Sequence, residues 1–529
     1  MSHLYGPHEG ASPPKPARRS GFFRVLAPAV GAALTLSAGA VGAARAQQPA
    51  APSESSAGSA AQTLGTVQHD GKTYFKNRIP ATVRPVVVTP STPQAEIDDL
   101  LASDDPYRVI KFASGEYRLQ TLKIHQGNTR IEVDPGATFV MTGTSKFVFD
   151  VGAPKGIDPI ENVEIASTVP HRKFTVVVQG IPRTGDRRVA RLANVTNFAV
   201  SGIDIQGSYQ AQPYIVLTNA AGNAAPVIDG NSDPSDGLPP GKDYNPLFGT
   251  VPSGGVIEDV SANRIHSGYA TVQTFGANNV YMKDISGDEG VTVRLEPGSG
   301  GSKDKVSQAG PDLGALRNIV LDGITNTNGF ASVYLKPHAK DCSNITLNDI
   351  SATDSAFAVH ADSAEFSFDP PTGGTGPGTV PDGVIERGRF AGLRATGDII
   401  LTRTPGVTGR AIFAASDLDY IDTKNRIDGA TAYEDYPLHE PSGRLRLTKL
   451  PVVPILLLSQ EYADAVGPQA VRGRYSMNVS GATIRSVGVH HSFDADSDGI
   501  LVRSDGRGLD GQPLSADEVR YGDATNVVP

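Results

Sequence analysis

"VIEDVSANRIHSGYATVQTFGANN" at residues 256–279 and "VYMKDISGDEGVTVRLEPGSGG" at residues 280–301 share one layout, which the segments 319–340 and 345–366 repeat. Each unit has an aliphatic strand, a polar turn, a second short strand and then Gly, Pro or Asp. The units start 24, 39 and 26 residues apart, and the longest interval contains a Gly-rich loop at 298–315. A period in the twenties with several short strands is typical of a parallel β-helix, whose stacked coils share one core.

Asparagine precedes the aliphatic strand in three units, at Asn279, Asn318 and Asn344. Stacked coils would align these side chains into a hydrogen-bonded ladder. The segment "STPQAEIDDLLASDD" at 91–105 predicts a short helix with Ser91 or Thr92 as N-cap, placed over the open N-terminal end of the core. We therefore predict an all-β, pectate-lyase-like right-handed parallel β-helix with a short N-terminal capping helix. A β-sandwich is the alternative, but it does not explain a repeat of coil length.

The N-terminus has the composition of an export signal. Residues 1–46 contain Arg18-Arg19, an apolar run rich in Ala and Gly, and a small-residue site at 44–46. A twin-arginine-type signal peptide is predicted here, with a membrane anchor as the alternative. The predicted order continues with a low-complexity linker at 47–77, the β-helix at 78–510 and a C-terminal tail at 511–529. Residues 403–475 break the repeat and predict an irregular insertion or subdomain.

The charge balance narrows the range of partners. The chain has a formal net charge of −9, and removal of residues 1–46, with five Lys/Arg and one Asp/Glu, makes it −13. Such a chain disfavours nucleic acid and anionic membranes as partners. Cys342 is the one cysteine, so an intrachain disulfide is excluded. We expect a periplasmic or secreted monomer without contact to the membrane after signal cleavage.

Alignment of "TVRLEP", "SVYLKP" and "AVHADS" predicts which side chains of successive coils lie together outside the core. One row holds Arg294, Tyr334 and His360, and the next holds Glu296, Lys336 and Asp362. Gln273, one coil earlier, and His338, two positions after Lys336, extend this polar strip. A groove of this composition suits an anionic polysaccharide.

Each residue type in the strip has a chemical use. Arg294, Lys336 and His360 could engage carboxylate or sulfate groups, the arginine in bidentate fashion. Tyr334 could stack on a sugar face. Glu296, shielded in the groove, could protonate a glycosidic oxygen. The ordinary alternative is a solvated polar face with paired charges, which every β-helix carries.

The segments "NTRIEVDPGATF" at 128–139, "LANVTNFAVSGIDI" at 192–205 and above all residues 255–362 resemble the iota-carrageenase family. Members of this family are β-helix hydrolases that cut a sulfated red-algal galactan with inversion. The resemblance implies that Glu296 is the general acid, assisted by Gln273 and by His338. It implies an anionic glycan as substrate and no organic cofactor.

One position departs from the family pattern, in which a strand reads Arg-Leu-Glu-Thr-Asp and its aspartate is the catalytic base. This chain reads Arg-Leu-Glu-Pro-Gly at 294–298, so Gly298 stands where the base should be. An inverting hydrolase needs its second carboxylate about 6.5–9.5 Å from the first. Asp362, Asp288 and Glu289 are the candidates for the base, and the sequence leaves the choice open.

Other functions on the same fold stay open. A polysaccharide lyase could use Lys336, Arg294 or Tyr334 to abstract a proton next to a uronate carboxylate. A noncatalytic glycan-binding protein would have kept the groove and lost the base. A trimeric, tailspike-like fibre is a further alternative, which a predicted export signal does not favour.

A second motif lies near the C-terminus, in "DADSDGILVRSD" at 494–505. Its acidic residues have the spacing of a calcium loop, with Gly499 at the sharp turn. A structural Ca²⁺ is predicted there, and an acidic surface turn is the alternative. The predicted ligands are Asp494, Asp496, Asp498 and Asp505.

Overall fold

A computed structural model describes much of the chain between Leu64 and Val528, in segments that all belong to one compact unit at residues 60–529. The described segments are 64–153, 159–178, 187–210, 212–218, 251–266, 269–297, 316–336, 342–361, 390–391, 393–405, 411–412, 434–439, 445–450, 453–458, 477–488, 500–503 and 527–528. The predicted signal peptide lies outside the described residues.

Parallel strands of successive coils form the two large sheets of the described residues, which confirms the predicted parallel β-helix. The larger sheet has 17 strands. They are β3 (Val86–Val88), β4 (Arg108–Phe112), β5 (Gly115–Leu119), β7 (Thr129–Val133), β8 (Ala137–Met141), β10 (Ile160–Ser167), β11 (Phe174–Val177), β13 (Val195–Gln206), β15 (Ser253–Ala262), β17 (Ala277–Asp288), β19 (Leu316–Asp322), β20 (Thr325–Thr327), β22 (Cys342–Thr353), β24 (Phe390–Ala391), β25 (Leu393–Thr402), β30 (Met477–Val487) and β32 (Val527–Val528).

The second large sheet has ten strands, one from each coil. They are β6 (Leu122–Ile124), β9 (Phe147–Val151), β12 (Arg188–Leu192), β14 (Ile215–Leu217), β16 (Ala270–Thr274), β18 (Val291–Leu295), β21 (Ala331–Leu335), β23 (Phe357–Ala361), β29 (Val453–Leu458) and β31 (Ile500–Arg503). The strip predicted from the sequence lies on this ten-stranded sheet.

The core consists of aliphatic columns, because equivalent positions of successive coils hold similar residues. One column of the ten-stranded sheet runs through Ile215, Val272, Val293, Val333 and Val359 in direct register. All five are fully buried. Stacking thus buries an apolar face that no single coil could bury alone.

Asparagine occupies one corner near the start of the strand in most coils of the 17-stranded sheet, and Gly254 takes the equivalent position in β15. The six asparagines at this corner have φ values between 49° and 63°, the left-handed region that asparagine tolerates better than most residues. They are Asn128, Asn162, Asn197, Asn279, Asn318 and Asn344. The predicted ladder is present in part: Asn344 Nδ2 donates to Asn318 Oδ1 at 2.6 Å, but Asn318 Nδ2 donates to Asn278 Oδ1 at 3.0 Å, so Asn278 and not Asn279 is the third member.

Helix α1 (Gln94–Ala102) covers the N-terminal end of the core, as predicted. Ile97 and Leu101 are buried in the core and Leu100 packs against it. The predicted N-cap is wrong: the cap residue is Pro93, with no side-chain cap. Thr92 Oγ1 instead accepts a hydrogen bond from the Thr89 N–H, at 3.0 Å.

Residues 64–77, predicted as part of the linker, carry regular structure. Strands β1 (Thr66–His69) and β2 (Lys72–Lys76) form an antiparallel hairpin. Tyr74 and Phe75 pack on residues of the 17-stranded sheet, including Tyr281. The hairpin packs across several coils. A segment whose sequence is typical of a polar linker therefore stabilises the stack from its outer surface.

Part of the predicted insertion forms a sheet of its own. Strands β26 (Ala411–Ile412), β27 (Glu434–His439) and β28 (Leu445–Leu450) pair with one another within the described residues. Residues 453–458, within the predicted insertion at 403–475, belong to the ten-stranded sheet. Val527–Val528, in the predicted tail, pairs with the 17-stranded sheet.

No helix in the described segments is long and apolar enough to cross a membrane.

The asparagine corner can be tested at Asn318. Alanine loses the ladder hydrogen bonds and also pays for the left-handed backbone, whereas glycine loses only the hydrogen bonds. We expect Asn318→Ala to lower the free energy of unfolding by about 2 kcal/mol and Asn318→Gly by about 1 kcal/mol. Urea denaturation measures both values. Equal losses would contradict a role for asparagine in the backbone conformation.

The contact between the hairpin segment and the stack has a pH dependence. Glu164 accepts hydrogen bonds from the Leu64 N–H and from Asn77 Nδ2, both at 2.9 Å. Burial raises the pKa of Glu164 from 4.5 to about 7, and the charges of Glu132 and Glu258 add to the effect. The folded state therefore keeps a proton that the unfolded chain loses, so stability decreases as the pH rises from 4.5 to about 7.

Glu164→Gln removes this titration. We expect the variant to be more stable than the wild type at about pH 8, by up to roughly 3 kcal/mol, with a smaller advantage at about pH 5. Thermal unfolding across this pH range measures the difference. Glu161→Gln, at an exposed carboxylate paired with Arg78, is the matched control and should show no such trend. A stability difference between Glu164→Gln and the wild type that does not change with pH would contradict the raised pKa of Glu164.

Candidate functional site

The ten-stranded sheet brings one row of the predicted strip into direct register. Gln273 pairs with Arg294, Arg294 with Tyr334, and Tyr334 with His360. Leu295 pairs with Leu335, so Glu296 and Lys336 follow side by side along the chain. The alignment of these coils from sequence is therefore confirmed. It reflects the period of two along each strand, which sends these side chains away from the aliphatic columns.

Strand β18 carries the two charged residues, and a glycine sets its start. Gly290 has a φ of 57°, and a Cβ there would lie 2.6 Å from the carbonyl oxygen of Ile265. Only glycine fits this turn without a backbone shift. The turn fixes the register in which Arg294 and Glu296 reach their neighbours.

Both carboxylate oxygens of Glu296 accept hydrogen bonds. Arg294 Nη2 donates to Oε1 at 2.7 Å, and Gln273 Nε2 donates to Oε2. Gln273 belongs to the preceding coil, so two coils hold one carboxylate in a single orientation. The two donors therefore fix the orientation of this carboxylate.

The strip points outward but is buried, which the sequence did not indicate. Glu296 is 4% exposed, Arg294 7% and Gln273 1%. A buried charge is tolerated only with a partner and hydrogen bonds, and this pair has both. Gln273 Oε1 is buried and has no hydrogen-bond partner among the described residues.

Tyr334 and His360, both predicted to bind the substrate, belong to a cluster of packed aromatic rings. The Arg294 guanidinium lies 5.1 Å from the centre of the Tyr334 ring, and the other end of Tyr334 meets His360 edge-on at 4.8 Å. His360 also packs against Phe330 and Phe357, at 5.4 and 4.9 Å. Tyr334 packs on both Arg294 and His360, and the Tyr334 and His360 side chains are buried.

The sequence analysis missed the two phenylalanines. Phe330 directly precedes β21, and Phe357 begins β23 at the paired position of Ala331. Both occur in a recurring "GF" or "AF" step, "NGFASVYL" and "SAFAVH". This repeated aromatic was the available signal for a rigid support behind the polar strip.

Two of the three candidates for the catalytic base lie at the opposite end of β18 from Glu296. Asp288 and Glu289 precede β18, whereas Glu296 follows it. The strand between them spans roughly 13 Å, so these residues belong to the other end of the strand and are too far for an inverting pair. Asp362, His338 and Gly298 lie outside the described residues.

The predicted calcium ligands Asp494, Asp496, Asp498 and Asp505 also lie outside the described residues. Within the part of the chain that the structure describes, no group of three or more His, Cys, Asp or Glu side chains could hold a metal ion. The calcium site remains a prediction from the sequence.

Comparison with known sequences finds iota-carrageenases. One from Zobellia galactanivorans is 26% identical over 261 residues, which cover 48% of this chain and 46% of that protein. One from Alteromonas macleodii is 28% identical over 118 residues, 22% of this chain and 23% of that protein. The chain thus matches about half the length of the first relative and a quarter of the second. No model of a known protein family matches.

Solved structures give the same result for the fold. An iota-carrageenase complexed to iota-carrageenan fragments has a TM-score of 0.54 at 14% identity, covering 83% of this chain and 96% of that one. A family GH82 iota-carrageenase from A. fortis has a TM-score of 0.55 at 15% identity, with coverages of 84% and 96%. The resemblance to iota-carrageenases that the sequence indicated is confirmed.

The buried ion pair can be tested through stability. Arg294→Met leaves the buried Glu296 carboxylate without its guanidinium, and we expect it to cost about 3 kcal/mol of unfolding free energy. The double variant Arg294→Met/Glu296→Gln should recover most of that loss, because no buried charge remains. Arg118→Met, in the exposed pair with Glu116, should change stability by less than about 0.5 kcal/mol. Additive losses in the double variant would contradict direct coupling.

Proposed function

We propose that this protein is a secreted glycoside hydrolase that cleaves an anionic polysaccharide, with Glu296 as the general acid. The observation that carries the proposal is the fixation of Glu296 by Gln273 of one coil and Arg294 of its own. The similarity to iota-carrageenases supports it independently. A sulfated galactan is accordingly the first substrate to test.

The proposed chemistry begins with proton transfer from Glu296 to the glycosidic oxygen. Bond cleavage leaves Glu296 as a carboxylate, and the Arg294 guanidinium at 2.7 Å stabilises that charge. Gln273 keeps the second oxygen in place by its amide N–H. Arg294 is itself immobilised on Tyr334, so little reorganisation accompanies the change of charge.

We propose inversion, with Asp362 as the base that activates water. Ala361, the residue before it, pairs with Leu335, which pairs with Leu295, the residue before Glu296. Two strand spacings are roughly 10 Å, close to the upper end of the separation that inverting carboxylates use. Asp288 and Glu289 do not meet this condition.

Within this proposal, Lys336 binds an anionic group of the glycan, and His338 assists Glu296 in catalysis, the role that the resemblance gives it. The signal peptide at 1–46 directs export, and the acidic loop at 494–505 binds a structural Ca²⁺. Removal of that ion would lower thermal stability without changing the chemistry at Glu296.

The proposal is tested by a reducing-end assay on sulfated galactans and polyuronates. Glu296→Gln should lose about 10²–10⁴-fold in kcat, the usual contribution of a general acid. The matched control is Glu132→Gln. Glu132 belongs to a second buried Arg-x-Glu pair, with Arg130 Nη2 at 2.7 Å, on the 17-stranded sheet. That control should keep its activity, because Glu132 has the same motif but lies on the other large sheet, away from the candidate site.

Two outcomes would contradict the hydrolase. An unsaturated product that absorbs in the ultraviolet would indicate a lyase. Binding without cleavage of any polymer, by a folded protein, would indicate that the departure at Gly298 accompanies loss of catalysis. Equal losses for Glu132→Gln and Glu296→Gln would show that the effect is on folding.

A further inference from the structure

A cluster of basic side chains lies on the ten-stranded sheet, several coils before Glu296. It consists of Lys123, Phe147, Arg188 and Arg191, with Asp150 as its acidic member, and is called the distal basic cluster below. Lys123 pairs with Asp150 on the next strand, and Asp150 pairs with Arg191 on the following one. These three positions continue the outward row that holds Gln273 and Arg294.

One aromatic ring orders both arginines. The guanidinium carbons of Arg188 and Arg191 lie 5.6 and 5.4 Å from the centre of the half-buried Phe147 ring. Arg188 Nη2 also donates a hydrogen bond to the Gln212 side-chain oxygen. Two guanidiniums held against one ring lose little conformational entropy when they bind an anion, and their forked donors match carboxylate and sulfate oxygens.

Asp150 orients Arg191 without neutralising the cluster. Arg191 Nε donates to Asp150 Oδ1 at 2.7 Å, while the Arg191 side chain stays 35% exposed. Burial raises the pKa of Asp150, but the neighbouring His125 and Arg191 outweigh it, so the pKa lies below its usual value. Asp150 is therefore an anion at neutral pH. Among the described residues of this row, Lys123 and Arg191 flank the single carboxylate of Asp150.

The cluster is separate from the Glu296 site. In register, Arg191 is followed by Val216, then Gln273, then Arg294. Three strand spacings are roughly 14 Å. Val216 is fully buried between the two polar regions. A ligand on the cluster therefore does not touch Glu296, although a long polymer could reach both.

We propose that the distal basic cluster is a second binding site for the sulfate or carboxylate groups of a polysaccharide, distinct from the site of cleavage. That the polysaccharide is also the substrate rests on the proposed function. The cluster raises the affinity for long chains, which engage both regions of the same sheet. It contributes nothing to short oligosaccharides that occupy the Glu296 site alone.

Binding is measured in the full-length Glu296→Gln background by affinity electrophoresis in gels that contain a sulfated galactan, a polyuronate or a neutral galactan. Arg191→Gln should weaken binding to one charged polymer about tenfold and flatten its salt dependence. The polymer affected identifies the anionic group. Arg191→Lys, which keeps the charge, should restore part of the loss. Arg118→Gln is the control, since Arg118 pairs with Glu116 on the other large sheet.

A second measurement separates this inference from the hydrolase proposal. With Glu296 intact, Arg191→Gln should raise KM for the polymer several-fold and leave kcat/KM for short oligosaccharides unchanged. Arg191-dependent binding by a protein that cleaves no polymer would support the second site and count against the hydrolase. Equal binding by Arg191→Gln and Arg118→Gln, with equal thermal midpoints, would overturn the second site.

Discussion

The stacking of coils in parallel register is the constraint on which every other feature depends. A parallel stack places equivalent residues of neighbouring coils one strand spacing apart, so a slip of one residue would send the aliphatic columns outward and the polar strip inward. Left-handed asparagines such as Asn318 and Asn344 turn successive coils at one place and join through their side chains. The hairpin at 66–76 and helix α1 add restraints from outside and from the end. The site is thus a product of the stack rather than of one motif.

Burial of charge distinguishes the candidate site from an ordinary polar face. Arg294 and Glu296 are nearly inaccessible, and a buried pair rarely stabilises a fold compared with apolar residues of the same size. The pair Arg130–Glu132 shows that the same three-residue pattern also occurs on the other large sheet. The two pairs differ in their neighbours. Glu296 has an amide from the preceding coil and an arginine fixed on an aromatic ring. Location and neighbours carry the functional argument, and the pattern alone does not.

Much of this could be predicted from sequence because the repeat is local and regular. The periodic strands gave the fold, and alignment of three coils placed Arg294 beside Tyr334 and His360 correctly. The burial of the strip could not be predicted, since it depends on how distant parts of the chain pack. The same holds for the hairpin, whose contact through Glu164 joins residues far apart in sequence. The distal basic cluster could not be predicted from the sequence, because Phe147 and Arg188 lie on coils whose sequences do not resemble one another.

The most direct test of the account is the fate of solvent oxygen during cleavage. The full-length protein is incubated with a sulfated galactan in isotopically labelled water, and the products are analysed by mass spectrometry and by NMR of the new anomeric centre. The account predicts one labelled oxygen at each new reducing end, with inverted configuration. Unlabelled, unsaturated ends, or retained configuration, would contradict an inverting hydrolase in which Glu296 supplies the proton and a separate carboxylate activates water.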